Sequence, residues 1–207
     1  IVAIILILLN FRLIGSSRVG SSINVLAAQA LVLNALPVLS QKPMSLWMMA
    51  MVASATIIKA WFLPAMLRRA MQKTNVIREV EPLIGYTPSV IIGTIMLALC
   101  SLAARTLKLP LSDEGLLLLP VTLFTILTGA FLLVSRRKAI MQVLGFLVLE
   151  NGVYLFGVTF AINEPVLVQA GVMLDVFAAV FVMGIIIYHI NREFDHIDID
   201  RLSNLKD

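Results

Sequence analysis

Cysteine, histidine and charge are all scarce in this 207-residue sequence. The single cysteine, Cys100, excludes a disulfide within the chain, and one thiol cannot hold a cysteine-ligated iron–sulfur cluster or structural zinc ion. The two histidines, His189 and His196, both lie near the C-terminus. Neither a GxGxxG pattern nor a P-loop pattern occurs. The sequence therefore carries no visible redox or nucleotide chemistry of its own.

Apolar residues are what the chain has in abundance. They make up 60% of it, and charged residues only 14%, whereas a soluble domain has about 25% charged residues. The mean hydropathy is strongly positive. This composition predicts an all-α, polytopic membrane protein surrounded by lipid. The net charge of +4 is typical of arginines and lysines in loops between apolar spans, and it does not indicate a nucleic-acid-binding surface.

Seven apolar stretches separated by turn residues or polar connections predict about seven transmembrane helices. They are residues 1–14, 20–40, 45–67, 87–106, 115–135, 138–162 and 166–191. The first is short, which favours the second half of a spanning helix that begins before Ile1. A signal-peptide core is the alternative, but it lacks a basic leader and a cleavage site. The long polar connection after residue 67 could form a short surface helix.

The distribution of basic residues supports this count. Of the sixteen lysines and arginines, twelve fall in segments on one side of the predicted membrane, three on the other, and one, Lys59, within a span. Because basic loops stay in the cytoplasm, we expect a cytoplasmic C-terminus. The chain then divides into an N-terminal four-helix region (1–114), a three-helix region (115–192) and a cytoplasmic tail (193–207).

Three charged residues, Lys59, Glu150 and Asp175, lie deep within the predicted spans. At 1.5 Å of rise per residue, Lys59 and Glu150 both lie ~21 Å from the outer membrane edge, and Asp175 lies ~15 Å from it. A charge at the centre of a membrane helix costs about 2.5–3.5 kcal/mol on insertion scales, so the default interpretation is functional. We predict a proton relay. The alternative is a buried ion pair that only fixes helix packing.

Further polar residues accompany these charges. Pro64 cannot donate a hydrogen bond to the carbonyl of Ala60, beside Lys59, and predicts a kink or break in the helix there. Asn151, Gln29 and Asn34 are candidates for a secondary polar path. Gln29 and Asn34 are five residues apart and do not share one helix stripe. The alternative for all three amides is helix–helix packing, which is common in membranes.

The last ninety or so residues resemble the K subunit of complex I and the C subunit of multisubunit cation/proton antiporters. The likeness rests on Arg136-Arg137 at the start of a helix, Leu144-Gly145 followed by an acidic residue and Asn, a later helix with one central acid, and the tail Ile199-Asp200-x-Leu-Ser. In that family pattern the glutamate falls at about Leu147. Here Glu150 lies one turn later, on roughly the same face.

The whole chain is more similar to the E subunit of hydrogenase-4 and to related subunits of formate hydrogenlyase membrane arms. The shared residues are Ile58-Lys59, Leu63-Pro64, Leu149-Glu150-Asn151-Gly152, Asp175-x-Phe-Ala and Asn204-Leu205-Lys206. This resemblance implies a multi-pass, non-catalytic subunit of a complex-I-like [NiFe]-hydrogenase in the cell inner membrane. Its implied partners are antiporter-like and quinone-module-like membrane subunits and a hydrogenase peripheral arm. The nickel–iron and iron–sulfur centres would lie on partners, with no cofactor in this chain.

Two other functions stay open at this point. A structural subunit that bridges neighbouring membrane subunits would use the same polar residues as packing devices. A subunit of a cation/proton antiporter would have no hydrogenase partner. An independent small-molecule transporter is less favoured, because no pair of helices broken by glycine or proline marks a substrate site.

Overall fold

The computed structural model describes residues 1–39, 46–73, 82–107 and 113–160, together with Gly184. Every regular element within the four ranges is helical, because a backbone in lipid must satisfy its own hydrogen bonds. In chain order the elements are α1 (Val2–Gly15), α2 (Val19–Leu39), α3 (Leu46–Ile57), a π-helical turn (Ile58–Phe62), α4 (Leu63–Lys73), α5 (Tyr86–Thr106), α6 (Asp113–Ser135) and α7 (Ala139–Phe160).

Six of the seven predicted spans coincide with these helices. Four helices are long and apolar enough to cross a membrane, and these are Val19–Pro37, Tyr86–Thr106, Gly115–Ser135 and Ala139–Thr159. Val2–Gly15 is a shorter apolar helix. The all-α prediction is confirmed for the described part of the chain. The count of seven spans and the cytoplasmic C-terminus stay predictions, since the seventh span and the tail lie outside the described residues.

The third span is one continuous helix made of α3, the π-helical turn and α4. It runs six residues beyond the predicted end at residue 67 and replaces the start of the expected polar connection. Leu63, Leu67 and Ala70 are buried at helical spacing, whereas Arg68 and Arg69 are exposed. This amphipathic pattern extends the helix past the apolar stretch.

The turns of two helical hairpins, α1–α2 and α6–α7, meet at one end of the bundle. The guanidinium of Arg136 in the α6–α7 turn donates to the carbonyl of Ile14 at 2.5 Å. Arg68 on α4 reaches the same end, where it donates to the side chain of Asn24 at 2.6 Å. Basic residues from separate segments are therefore gathered at a single end, as the positive-inside pattern expects.

Apolar clusters above and below the middle of the bundle hold the helices together. One cluster joins α1, α2, α4, α6 and α7 near the basic end and includes Leu147. Another, which includes Leu155, joins α1, α2, α6 and α7 farther along. Glu150 falls on α7 between Leu147 and Leu155, so the candidate site lies between two apolar layers.

Candidate functional site

Lys59 and Glu150 form a buried ion pair. The Lys59 Nζ lies 2.9 Å from Glu150 Oε1, and the side chains are only 5% and 2% exposed. That distance is a direct contact between opposite charges. This contact agrees with the prediction that the two residues lie at the same depth in the membrane. Asp175, the third member of the predicted relay, lies outside the described residues.

The π-helical turn is what carries Lys59 into the bundle. Within it the N–H of Leu63 donates to the carbonyl of Ile58, five residues earlier instead of four. Lys59 is buried, whereas Trp61 and Phe62 in the same turn are exposed. The disturbance predicted from Pro64 is present, but the chain stays helical and widens by one residue instead of breaking. Such turns often occur at functional sites.

Glycines fix the rotation of α7, and with it the direction of Glu150. A Cβ added to Gly152 would lie 2.7 Å from the backbone nitrogen of Ile126 on α6, and one added to Gly145 would lie 2.8 Å from that of Leu133. From α6, Gly129 approaches the backbone of Leu149 equally closely. Only glycine permits backbones this near, as in other membrane helix pairs. The opposite face of α7 then carries Glu150.

Tyr154 is a member of the site that the sequence analysis missed. Its ring centroid lies 5.0 Å from Lys59 Nζ, within range of a cation–π interaction. The signal was available in the spacing, because Tyr154 follows Glu150 by four residues and so shares its helix face. The ammonium group is thus held between a carboxylate and an aromatic face.

A small cavity adjoins the ion pair. It takes in about 190 Å³ of space between atoms, part of which is open to the outside of the protein, and is lined by Leu26, Ala30, Lys59, Leu63, Leu147, Glu150 and Asn151. The part of this space open to a water molecule is enough for about one. The cavity therefore suits a proton or a single water, and it is too small for an organic substrate.

Two of the three residues predicted for the secondary polar path are in contact at this site. Asn151 donates through Nδ2 to Gln29 Oε1 at 3.4 Å, and both side chains are buried. Asn34 is buried as well, at 4% exposure, but its Nδ2 has no hydrogen-bond partner in the ranges the structure describes. The structure brings Gln29 and Asn151 together and leaves Asn34 separate, in keeping with its different helix stripe.

Two further polar residues, Asn10 and Thr125, join this group without having been predicted. Gln29 Nε2 donates to Asn10 Oδ1 at 2.9 Å, and Asn10 Nδ2 donates to Thr125 Oγ1 at 2.8 Å. Asparagine in the first apolar stretch was a usable signal for Asn10. Threonine is common in membrane helices, so nothing in the sequence singles out Thr125.

Arg136 is another residue whose surroundings the sequence analysis did not predict. The sequence places it at the start of a helix, in a basic group between two apolar spans, but its side chain is fully buried. It stacks 4.7 Å from the ring centroid of Tyr86 and holds the last turn of α1 through the Ile14 carbonyl. Its role in this structure is to join α1, α5 and the α6–α7 turn. Arg137 and Lys138 beside it are exposed.

Metal ligation has no support in the part of the chain that is described. No group of three or more His, Cys, Asp or Glu side chains there could hold a metal ion. The chemistry available at the site is proton exchange between a carboxylate, an ammonium group and water.

Comparisons with known proteins agree with this membrane architecture. Residues 116–207 match the family model of NADH-ubiquinone/plastoquinone oxidoreductase chain 4L. Hydrogenase-4 component E of Escherichia coli (strain K12) is 29% identical over 154 residues, which cover 74% of this chain and 71% of that protein. The resemblance to hydrogenase-4 component E and to the K subunit of complex I is confirmed. An uncharacterised protein of Mycobacterium tuberculosis is 28% identical over 206 residues, 98% of this chain and 93% of its own length.

The residues of the site lie partly inside and partly outside the region that matches the family model. Glu150, Asn151 and Tyr154 on α7 lie within residues 116–207, whereas Lys59 and Gln29 precede them. The longer relatives extend the similarity toward the N-terminal helices that supply Lys59 and Gln29. No solved structure matches this chain.

Proposed function

We propose that this chain is a non-catalytic membrane subunit of a complex-I-like [NiFe]-hydrogenase of the hydrogenase-4 or formate hydrogenlyase type. We further propose that it contributes to a proton or ion translocation path through buried charged residues. The assignment to such a complex is supported by the similarity to hydrogenase-4 component E and by the match to chain 4L.

The observation that carries the path is the Lys59–Glu150 pair beside its cavity. At 2.9 Å a proton can pass directly between ammonium and carboxylate, which converts an ion pair into a neutral acid and amine. Both groups also line the cavity, which has room for about one water molecule. Intramembrane ionisable residues beside such a space are typical members of proton relays.

The remaining proposed members extend this centre in two directions. Tyr154 lies against Lys59 and, on α7, one turn beyond Glu150. Asn151 and Gln29 continue from the cavity into α2, and Asn34 lies farther along α2. Asp175, on the predicted seventh span, stays a proposed relay site at a depth of ~15 Å by helix rise.

The proposed setting follows from charge and exposure. The end of the bundle that gathers the basic residues faces the cytoplasm, in a multi-pass subunit of the cell inner membrane.

The outer face of α5 exposes a stripe of large apolar side chains to lipid or to neighbouring membrane subunits: Ile91, Ile95, Leu99 and Leu102. Antiporter-like and quinone-module-like subunits and the peripheral arm are the proposed partners, and they would carry the metal centres. The division at residues 1–114, 115–192 and 193–207 stays a prediction.

A purely structural subunit is the second candidate, and one observation favours it. The buried amides join α7, α2, α1 and α6 by side-chain hydrogen bonds, which is what a packing device requires. In that case neutral replacement of the charges would affect assembly and leave coupling unchanged. A subunit of a cation/proton antiporter is the third candidate, and the neighbouring chains in a purified complex would identify it.

The decisive experiment removes both charges at once in the assembled complex. The double variant Lys59→Met/Glu150→Gln removes both members of the ion pair together, so neither is left buried without its partner, and we expect it to assemble. We expect proton translocation per hydrogen evolved, measured in proteoliposomes, to be lost. Glu150→Gln alone tests the same path but leaves the Lys59 ammonium buried against a neutral amide.

Thr122→Val is the matched control, because Thr122 is equally buried and touches neither charge through a hydrogen bond. If hydrogen evolution and ion translocation both stay normal in the assembled Glu150→Gln and double variants, the relay proposal is wrong. Normal translocation combined with reduced assembly would select the structural subunit instead.

A further inference from the structure

A continuous line of buried polar side chains leads away from the cavity through three more helices. Asn151 on α7 donates to Gln29 on α2, Gln29 donates to Asn10 on α1, and Asn10 donates to Thr125 on α6. Thr125 Oγ1 finally donates to the backbone carbonyl of Val121 at 2.7 Å. None of the four side chains is more than 2% exposed. Every donor in this line points away from the cavity.

The direction of the line is set at its far end. A threonine hydroxyl has one proton, and that of Thr125 goes to the Val121 carbonyl. Its oxygen must therefore accept, so the group of Asn10 that faces it is the NH₂. The Asn10 oxygen then faces Gln29 and requires an NH₂ from it. By the same rule the Gln29 oxygen requires the NH₂ of Asn151.

Reversing a single amide would bring two oxygens or two NH₂ groups face to face. Reversing all three amides would require Thr125 to donate its proton to Asn10 and to give up the bond to Val121. The observed direction keeps one hydrogen bond more than the reversed one. In a buried site this difference decides the orientation, because an unmade hydrogen bond is expensive there.

The near end of the line is the Lys59–Glu150 cavity, which Asn151 lines. Since Gln29 holds the NH₂ of Asn151, the amide oxygen is the atom left for the cavity. In the portion of the chain that is described, this oxygen accepts no hydrogen bond. A water in the cavity would meet an ammonium group, a carboxylate and an amide oxygen, within the two to four polar partners that a buried water needs.

We propose that Asn10, Gln29 and Thr125 are positioning residues that hold the amide oxygen of Asn151 toward the Lys59–Glu150 cavity. There the oxygen accepts a hydrogen bond from the water on the proton path. An amide turned the other way would present its NH₂ and compete with Lys59 for Glu150. This inference rests on the proposed function, because it assigns the water of that path its third partner.

Thr125→Val in the assembled complex tests the far end of the line. Valine keeps the shape of threonine but offers Asn10 no acceptor, so the far end of the line no longer favours one direction of the amides. We expect proton translocation per assembled complex to fall about threefold to tenfold, as the loss of one directing hydrogen bond implies. Thr125→Ser keeps the hydroxyl and should restore the wild-type value. Gln29→Met should lower translocation to the same extent, because it releases Asn151 directly.

Thr122→Val is again the control, since Thr122 makes the same backbone bond, to Leu118 at 2.9 Å, without accepting from an amide. Normal translocation in Thr125→Val and Gln29→Met, with the Lys59→Met/Glu150→Gln variant inactive, would overturn the positioning role and leave the proposed function standing. An equal fall in Thr122→Val, or no rescue by Thr125→Ser, would overturn it too. A fully active Lys59→Met/Glu150→Gln variant would remove the proposed function and this inference together.

Discussion

Helix α7 has two faces that are built in opposite ways. Toward α6 it presents Gly145 and Gly152, and the two backbones are so close that a Cβ at either glycine would overlap α6. Toward the π-helical turn it presents Glu150 and Tyr154, with a cavity, an ammonium group and a ring instead of tight backbone contact. The face with the glycines (the close face) leaves no room for a side chain at those two positions, and the face with Glu150 and Tyr154 (the open face) leaves room for chemistry.

The difference shows how a charge can be held in the middle of a membrane. Glu150 precedes Gly152 by two residues, which is about 200° of rotation around an α-helix. When the glycine face is fixed against α6, the carboxylate is necessarily directed toward α2 and the π-helical turn. The close face therefore determines where the charge points, and the open face determines what the charge can do.

The largest effect should come from leaving one charge of the open face without its partner. Glu150→Gln keeps the Lys59 ammonium buried opposite a neutral amide, and we expect a loss of about 3–5 kcal/mol in the free energy of unfolding. Lys59→Met in the same chain should recover most of that loss, since neither member of the ion pair is then left buried without its partner. Denaturant unfolding of the purified full chain in detergent measures both. A double variant as unstable as Glu150→Gln would show that the pair is not the source of the loss.

A smaller effect is expected on the close face. Gly129→Ala and Gly152→Ala force α6 and α7 apart, and we expect each to lower the free energy of unfolding by about 1–3 kcal/mol. Gly157→Ala on the same helix is the matched control. A Cβ at Gly157 meets nothing within 4 Å, so its effect should stay within about 0.5 kcal/mol. Similar losses at all three glycines would mean that close approach to α6 is not what fixes α7.

The same two faces explain what the sequence could and could not predict. The rise of a helix is fixed, so the equal depth of Lys59 and Glu150 followed from counting residues from the turns. Their actual contact depends on how two helices 91 residues apart along the chain are rotated. Glycines control that rotation, and glycines carry no polar signal of their own.

Hydrogen bonds between residues far apart in the sequence were harder to predict. Gln29 and Asn151 stood out because amides are rare within apolar stretches, but the bond between Asn10 and Thr125 joins residues 115 positions apart and follows only from packing. Pro64 showed which backbone hydrogen bond the helix cannot make. It did not show that the helix would respond by forming a π-helical turn. Arg136 was placed at the start of a helix, in a basic group between two spans. It is buried because the last turn of α1 ends against it at the Ile14 carbonyl.

The smallest expected effect concerns the ring at the open face. Tyr154→Leu removes the cation–π contact with Lys59, and we expect a loss of about 0.5–2 kcal/mol in the free energy of unfolding. Tyr154→Phe keeps a ring in place and should lose less. The contact is isolated by repeating Tyr154→Leu in the Lys59→Met/Glu150→Gln chain, where no ammonium remains to be attracted. If the open face is organised around the Lys59 charge, the two losses will differ, because residues in contact are not additive. Equal losses in both backgrounds would assign Tyr154 to apolar packing alone, and Glu150 would then be the residue of the open face that interacts with the Lys59 charge.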